Sequence, residues 1–482
     1  MPYVDVLIVG AGLSGIGSAC HLVTDRPSTS FALLEARDVS GGTWDLFRYP
    51  GVRSDSDMFT LGYSFEPWVE AKAIADGPSI LSYVRTTAEK YGVDRRIHYR
   101  RRVCSASWSG DDALWTVEVE GPGGSEVWTC RFLWGNTGYY RYDEGFRPEF
   151  TGESGFRGTM VHPQHWPEDL DVTGQQVVVV GSGATAVTLV PALAREAAHV
   201  TMLQRSPTYV VSRPAVDGFA DRLRAALPAR WAHPVVRIKN VSLTLLSYVV
   251  SRRWPEVVKR GIRRGVAEAL GETFDIDTHF TPRYNPWDQR LCLVPDGDLF
   301  EALKSSRASV VTDTISRFTP DGIELASGEH LDADVVVLAT GLKLLFLGGI
   351  DLVVDGERVD PRSTIAYKGM MLCGVPNLVM TFGYTNASWT LKADLTAEYV
   401  IRLLDEMERR GVRQCTPMAP AGEETPAPFL DFSSGYVTRA IDDFPRQGAV
   451  APWRLYQNYF LDMWLTRWRR IDDQLAFTNP AP

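Results

Sequence analysis

The clearest signal along this chain is a short apolar run that ends abruptly at glycine and is followed by small residues at helical spacing. Residues 5–10, "DVLIVG", are too few for a helix and rich in Val and Ile, which predicts a buried parallel strand; "AGLSGIGSACHLV" then reads as a helix with small residues on one face. The same grammar returns about 170 residues later, as "QVVVVG" at 176–181 followed by "SGATAVTLVPALAREA". The expected fold is therefore α/β with two Rossmann-like dinucleotide-binding units. A third run, "DVVVLATG" at 334–341, lies too far downstream to join the first unit by sequence order alone, although it could return to that sheet in space. Between about 215 and 280 the pattern changes to Arg, Lys, Trp and Leu at helical spacing, including "VSLTLLSYVVSRRWPEVVKRGIRRG". This reads as an inserted amphipathic core helix with a solvated basic face, the alternative being weak membrane-surface association. "CTPMAPAGEETPAPF" at 415–429 reads as an exposed proline-rich loop.

A chain of 482 residues with 45% hydrophobic content has room for two or three packed domains. Its net charge of −9 argues against nucleic-acid binding, which calls for a basic excess. Six scattered cysteines, with no CxxC or Cys/His cluster, support no disulfide framework, metal site or dithiol centre, and they fit a reducing cytoplasm. The N-terminus enters the first strand without a basic region or cleavage site, so no signal peptide is expected, and no apolar stretch reaches spanning length.

The two glycine loops narrow the chemistry. In Gly10-Ala-Gly12-Leu-Ser-Gly15 the first glycine permits a tight turn, the second lets a pyrophosphate approach the backbone at a helix N-terminus, and the third lets helix and strand pack closely. Glu35, closing "FALLEA", falls at the end of the second strand, where a carboxylate accepts both hydrogen bonds of a ribose diol. The second loop runs Gly181-Ser-Gly183-Ala184-Thr185-Ala186, and its second strand ends in Arg205 and Ser206 where the first has Glu35. An acid suits a bare 2′-hydroxyl; an arginine beside a hydroxyl suits a 2′-phosphate. FAD is assigned to the first site and NADPH to the second. The division expected is 1–140 and 331–482 for the FAD-binding domain, 141–213 and 284–330 for the NADPH-binding domain, and 214–283 for the helical insertion.

"FRGTMVHPQHW" at 156–166 has no strand or helix period and reads as a shaped connector just ahead of the second glycine loop. Its Phe156, Gly158, His162 and Trp166, followed by Pro167, resemble the fingerprint of type I Baeyer–Villiger monooxygenases. "GGTWDLFRYPGVRSD" at 41–55, with Gly42, Thr43, Trp44 and Asp55, is similar to that family's other signature. Within the family, "HPQHWPEDLD", "GSGATAVTLVPAL", "YNPWDQRLCLVP" and "GYTNASWTLKADL" look most like the ethionamide-activating monooxygenase branch.

The resemblance implies hydride transfer from NADPH to flavin, a C4a-peroxyflavin formed with O2, and insertion of one oxygen atom into ketones to give esters or lactones, or oxygenation of sulfides and thioamides. It makes Arg290 of "YNPWDQRLC" the active-site cation and Asp55 its partner. The position before that arginine, often a lysine in relatives, is Gln289, which shifts the burden of 2′-phosphate binding to Arg205. His162 is expected to be a hydrogen-bonded element of the linker and not an acid or base. Trp44, Asp55 and the Ala339-Thr340-Gly341 segment are expected around the flavin, with Thr385, Asn386 and Trp389 as further candidates at a helix start. Two other readings compete: a flavin monooxygenase restricted to N- or S-oxygenation, and a redox-responsive flavoprotein binding module.

Overall fold

The computed structural model describes residues 1–271, 273–419 and 427–480. Strand β1 (Tyr3–Val9) lies inside the larger sheet, with Val6, Leu7 and Ile8 fully buried. Such a run needs no polar alternation because elements cover both faces, and each side chain gains roughly 2 kcal/mol on leaving water. Helix α1 (Leu13–Asp25) follows the glycine loop, and β2 (Phe31–Leu34) runs parallel to β1, with Ile8 opposite Leu33. On the other side of β1 is β3 (Gly124–Gly135), also parallel, with Ile8 opposite Trp134. Strand β3 forks the sheet. Its first part pairs antiparallel with Leu114–Gly121, whose "LWTVEVEG" alternation leaves one face to water, while Leu133, Trp134 and Gly135 pair in parallel with Leu378–Met380.

The second unit is a five-stranded parallel sheet. It is built from β4 (Thr159–Val161), β5 (Gln176–Val180), α2 (Ala184–Leu193) and β6 (His199–Gln204). The helical insertion comes next, with α3 (Ala229–Arg253) and α4 (Pro255–Leu270) as its long helices; Pro255 at the first turn of α4 explains the break between them. Strands β7 (Ala308–Thr312) and β8 (Val335–Leu338) complete the order β7-β6-β5-β8-β4. The last long helix, α5 (Trp389–Arg410), packs against α1.

Four expectations are corrected by this arrangement. The strand in "DVVVLATG" does not return to the first sheet: β8 lies between β5 and β4, so the chain leaves the second unit downstream of the expected boundary at 331. The connector at 156–166 contains a strand, because Thr159–Val161 supplies the edge beside β8. The proline-rich stretch begins as a strand, not a loop, with Gln414–Pro417 paired to Leu475–Thr478 and Cys415 buried; residues 420–426 lie outside the described residues. Helix α3 does not bury its whole apolar face. Trp231, Val235, Ile238, Leu246 and Val249 are exposed, while the inward face mixes Ala232, Val236 and Val241 with the polar His233, Arg237 and Asn240.

The strongest of those moorings is Arg237. Its Nη1 donates to the carbonyls of Phe59 (3.1 Å) and Gly62 (2.7 Å), and its Nη2 donates to Asp394 Oδ2 at 3.0 Å. Two buried histidines flank this knot with opposite charge preferences. Burial, aided by Arg237, pushes His233 down to about 4, and neither ring nitrogen has a hydrogen-bond partner among the described residues. For His21 burial also disfavours the charge, but Asp25 at 3.3 Å and Asp394 at 3.7 Å outweigh it and lift the ring to about 9. With an unfolded value near 6.5, the His233 contribution is intact above that pH and is lost as pH falls toward 4. The His21 contribution is intact below it and is lost as pH rises toward 9. Each limb amounts to about 3 kcal/mol. The unfolding temperature of His233→Phe should therefore lose less than the parent's between pH 6.5 and 4, and that of His21→Gln less above 6.5; curves parallel to the parent's remove the argument.

Candidate active site

A cavity of about 640 Å³ opens at the carboxyl ends of β1, β2 and β3, the crevice where open α/β sheets bind ligands. Gly10 has φ +103°, and a Cβ there would lie 2.5 Å from the Asn136 carbonyl oxygen; at Gly15 it would lie 1.9 Å from the carbonyl oxygen of Gly10. Gly12 faces Gly42, where a Cβ would come within 2.9 Å of the Gly12 Cα, so two bare backbones border the lane into the cavity. Helix α1 starts at Gly12 with no side-chain cap, which leaves its first N–H groups available to an anion. Glu35 is buried against the loop. Its Oε2 accepts from the Ala11 N–H at 2.8 Å and its Oε1 from the Arg37 N–H at 2.9 Å, which keeps one further lone pair on each oxygen. Burial raises its pKa against these two donors.

The walls are aromatic. Tyr139 stacks on Trp389 at 5.1 Å between ring centres and 8° between planes, and the Trp389 Nε1–H donates to Ser14 Oγ at 2.7 Å. The hydroxyls of Tyr139 and Tyr140 are 2.9 Å apart, and that of Tyr142 lies 3.2 Å from Thr43 Oγ1. Trp44 lines the same space. Asn136 contributes a buried Nδ2 with no partner among the described residues, an open donor on this wall.

A second cavity of about 680 Å³ lies beneath α3 and α4. The two share Asp55, Ser56, Arg290 and Ala387 as a common wall. Arg290 Nε meets Asp55 Oδ2 at 2.8 Å and its Nη2 meets Oδ1 at 3.4 Å, a two-point grip that fixes the plane of the guanidinium. The Asp55 carboxylate outweighs desolvation and holds Arg290 above its ordinary pKa, so the cation is permanent. Val241, Leu243, Val258, Ile262 and Leu293 make much of the remaining lining apolar.

The structure brings most of the sequence candidates to these walls and moves a few elsewhere. Gly10, Gly12, Glu35, Gly42, Thr43, Trp44, Asp55, Arg290 and Trp389 line the first cavity. Ala339, Thr340 and Gly341 do not: they follow β8 in the second sheet, where the Ala339 carbonyl oxygen would be 2.4 Å from a Cβ on Gly181 and the Thr340 hydroxyl donates to the Phe146 carbonyl. The equivalent place in the first unit belongs to Asn136, Thr137 and Gly138, which the sequence reading missed along with Tyr139, Tyr140, Tyr142 and Arg37. Their signal was present, since "GNTG" after β3 parallels "LATG" after β8. Thr385 is held by Gln457 through its N–H and hydroxyl, away from the first cavity, and Asn386 lines the second with a buried, unpaired Oδ1.

Gly183 and Ala184 are exposed at the start of α2, beyond both cavities, with Thr185 half-buried behind them. Arg205 and Ser206 are exposed just past β6; Arg205 has no carboxylate partner among the described residues, and the Ser206 carbonyl accepts from Ser182 in the glycine loop at 3.1 Å. Gln289 is half-buried beside Arg290.

His162 knots the connector. Its Nδ1 accepts from the Gln164 N–H at 3.2 Å, so the proton sits on Nε2, which donates to the Gly341 carbonyl at 3.2 Å. Burial lowers its pKa, which keeps the ring neutral. The ring lies on bare backbone: a Cβ on Gly145 would come within 2.0 Å of its Cε1. Phe156 packs edge-on against Phe318, Gly158 passes where a Cβ would be 2.3 Å from the Asp334 carbonyl oxygen, and Trp166 packs on the second core.

Comparison with known proteins places this geometry in context. A flavin-binding monooxygenase-like family profile matches residues 68–252, and an NAD(P)-binding Rossmann-like domain matches residues 8–70. The chain is 52% identical to the FAD-containing monooxygenase EthA of Mycobacterium tuberculosis, over 100% of this chain and 99% of that protein. It is 46% identical to the probable FAD-binding monooxygenase AlmA of Acinetobacter baylyi, over 98% and 95%. Two solved structures share the fold with a TM-score of 0.77 and 20% identity, each over 99% of this chain and 100% of the other: an oxidized steroid monooxygenase bound to NADP, and cyclohexanone monooxygenase in an open form.

Proposed function

The chain belongs to the flavin-binding monooxygenase-like family, and from that premise we propose that it uses FAD, NADPH and O2 to insert one oxygen atom into ketones, giving esters or lactones, and to oxygenate sulfides or thioamides. The observation that carries this reading is the Arg290–Asp55 pair on the wall common to both cavities. FAD, once bound, supplies the two-electron redox chemistry with NADPH and the reactivity toward dioxygen. The residues fit it: the loop of Gly10, Gly12 and Gly15 with the open end of α1 suits a pyrophosphate, Glu35 a ribose diol, and the unpaired Asn136 Nδ2 a further acceptor.

The remaining work falls to the protein. Arg290 is the catalytic cation; it stabilises negative charge developing on oxygen as a carbonyl is attacked, worth about 3–4 kcal/mol for a preorganised donor. Asp55 is a positioning residue that holds the guanidinium plane. Tyr139, Tyr140, Trp44 and Trp389 keep water from the reacting face, which strengthens every charge interaction there. The apolar lining of the second cavity suits a lipophilic small molecule. His162, neutral and doubly hydrogen-bonded, keeps the connector between the units in register.

A panel of ketones and thioethers given to the FAD-loaded enzyme with NADPH tests the reading. Ester, lactone and sulfoxide should form in step with NADPH consumption; hydrogen peroxide alone on every substrate would sink it, and sulfoxide alone would restrict it to sulfur. Arg205, exposed and without an acidic partner among the described residues, suits the 2′-phosphate of NADPH. Arg205→Ala is expected to raise the KM for NADPH at least tenfold while leaving that for NADH nearly unchanged. Equal rises for both would remove the phosphate role.

A further inference from the structure

Helix α3 has two faces of different character. Its inner face is anchored to the first unit by Arg237 and by Asn240, whose Nδ2 donates to Asp57 Oδ1 at 2.9 Å. Its outer face, from Trp231 to Val249, carries Trp231, Pro234, Val235, Ile238, Ser242, Leu243, Leu246 and Val249, and its one charged side chain among the described residues, Lys239, is half-buried and paired with Asp217. Trp231 is 62% exposed, Ile238 56% and Leu246 58%, and the stripe continues into Trp254 and Val257 at the head of α4. At 1.5 Å per residue it is about 27 Å long, far more than the scattered apolar residues of an ordinary surface.

Apart from the paired Lys239, the charges are arranged around this stripe. Residues 229–270 contain nine Lys or Arg against two Glu, in a chain whose net charge is −9. Arg230 lies at one end over Trp231, and Arg253 at the other over Trp254, each a cation against an aromatic face at 5.9 and 5.8 Å. Arg253 and Arg264 have no ion pair among the described residues. No described helix is long and apolar enough to cross a membrane. An apolar stripe between tryptophans, flanked by unpaired arginines, matches the interfacial layer of a bilayer: the rings and aliphatic side chains enter the acyl boundary and the guanidinium groups meet lipid phosphates. A protein partner of ordinary polarity would need no basic rim, and a second copy of this acidic chain would bring the same positive rim against itself.

We propose that the outer face of α3 and the head of α4 form a docking surface for anionic phospholipid bilayers, with α3 lying in the plane of the membrane. The surface is a continuation of the site, since Leu243 belongs both to the stripe and to the lining of the second cavity.

The test is sedimentation of the FAD-loaded protein with vesicles of phosphatidylcholine alone or with about a third phosphatidylglycerol. Binding should appear on the anionic vesicles, be at least tenfold weaker on neutral ones, and fall sharply at about 0.5 M salt. Ile238→Glu with Leu246→Glu should reduce binding at least tenfold. The triple change Arg253→Gln, Arg260→Gln, Arg264→Gln should reduce it by about fivefold per arginine that reaches the lipid phosphates. Flavin content and unfolding temperature should stay at parent values, since all five side chains are exposed; if the glutamate pair misfolds, the glutamine triple decides alone. Parent-like binding by a folded variant, or none by the parent, overturns the proposal. A dimer in light scattering that the glutamates dissolve, without vesicle binding, assigns the face to a second copy and overturns it equally.

Discussion

Arg290→Ala is expected to cut formation of ester and lactone about a thousandfold, some 4 kcal/mol, with FAD still bound. The size follows from where the cation stands. It is fixed by two contacts to Asp55, on a wall that faces both cavities, and among the described residues no other Arg or Lys lines both. An alanine leaves Asp55 alone there, so the site loses a positive charge and keeps a negative one that repels developing negative charge. NADPH should still be consumed, with hydrogen peroxide in place of product. Arg290→Lys keeps the charge but makes a single contact, and should recover part of the rate. Asp55→Asn should fall between, because the guanidinium stays charged but loses its orientation. Product at near-parent rates from Arg290→Ala would end the assignment.

The second large effect is expected at Gly15. Gly15→Val should yield a protein purified without yellow colour, with flavin affinity reduced at least a hundredfold and an unfolding temperature several degrees below the parent's. The Cβ would sit 1.9 Å from the carbonyl oxygen of Gly10, and that atom is backbone, so the turn between β1 and α1 must open to admit it. Opening the turn displaces the N–H groups at the start of α1 and pulls Ala11 away from Glu35. Gly183 offers a control from the other unit: a Cβ there meets nothing within 4 Å, so Gly183→Ala should leave colour and folding intact. A yellow Gly15→Val protein of parent stability would show that the close packing of strand and helix does not govern flavin binding.

Local grammar made the glycine loops and the ends of β2 and β6 legible, because each follows from a few adjacent residues with one physical job; the Arg290–Asp55 candidates came from the family resemblance alone. What the sequence hid depends on three-dimensional return. "DVVVLATG" has the composition of any central parallel strand, and only its register against Val177–Val180 shows which sheet it joins. The first unit's own counterpart, "GNTG", was masked because β3 begins as an alternating antiparallel strand and becomes fully buried only over its last four residues. Helix α3 misled for a different reason: its apolar residues are spread around the helix, and periodicity says that a stripe exists but not which stripe meets the core. Arg237 decides that, as a buried charge tied to Asp394 some 157 positions away.

Asp55 and Arg290 come from opposite halves of the molecule. One precedes the short helix Met58–Leu61 in the first core, and the other precedes Cys292–Pro295, which pairs with Val210–Arg213 in the second unit. Their bond is therefore a latch across the cleft as well as a contact at the proposed site. On the proposed role of Arg290, a swing that parted the halves would pull the guanidinium from its carboxylate, so orientation of the cation and apposition of the two units would be lost together.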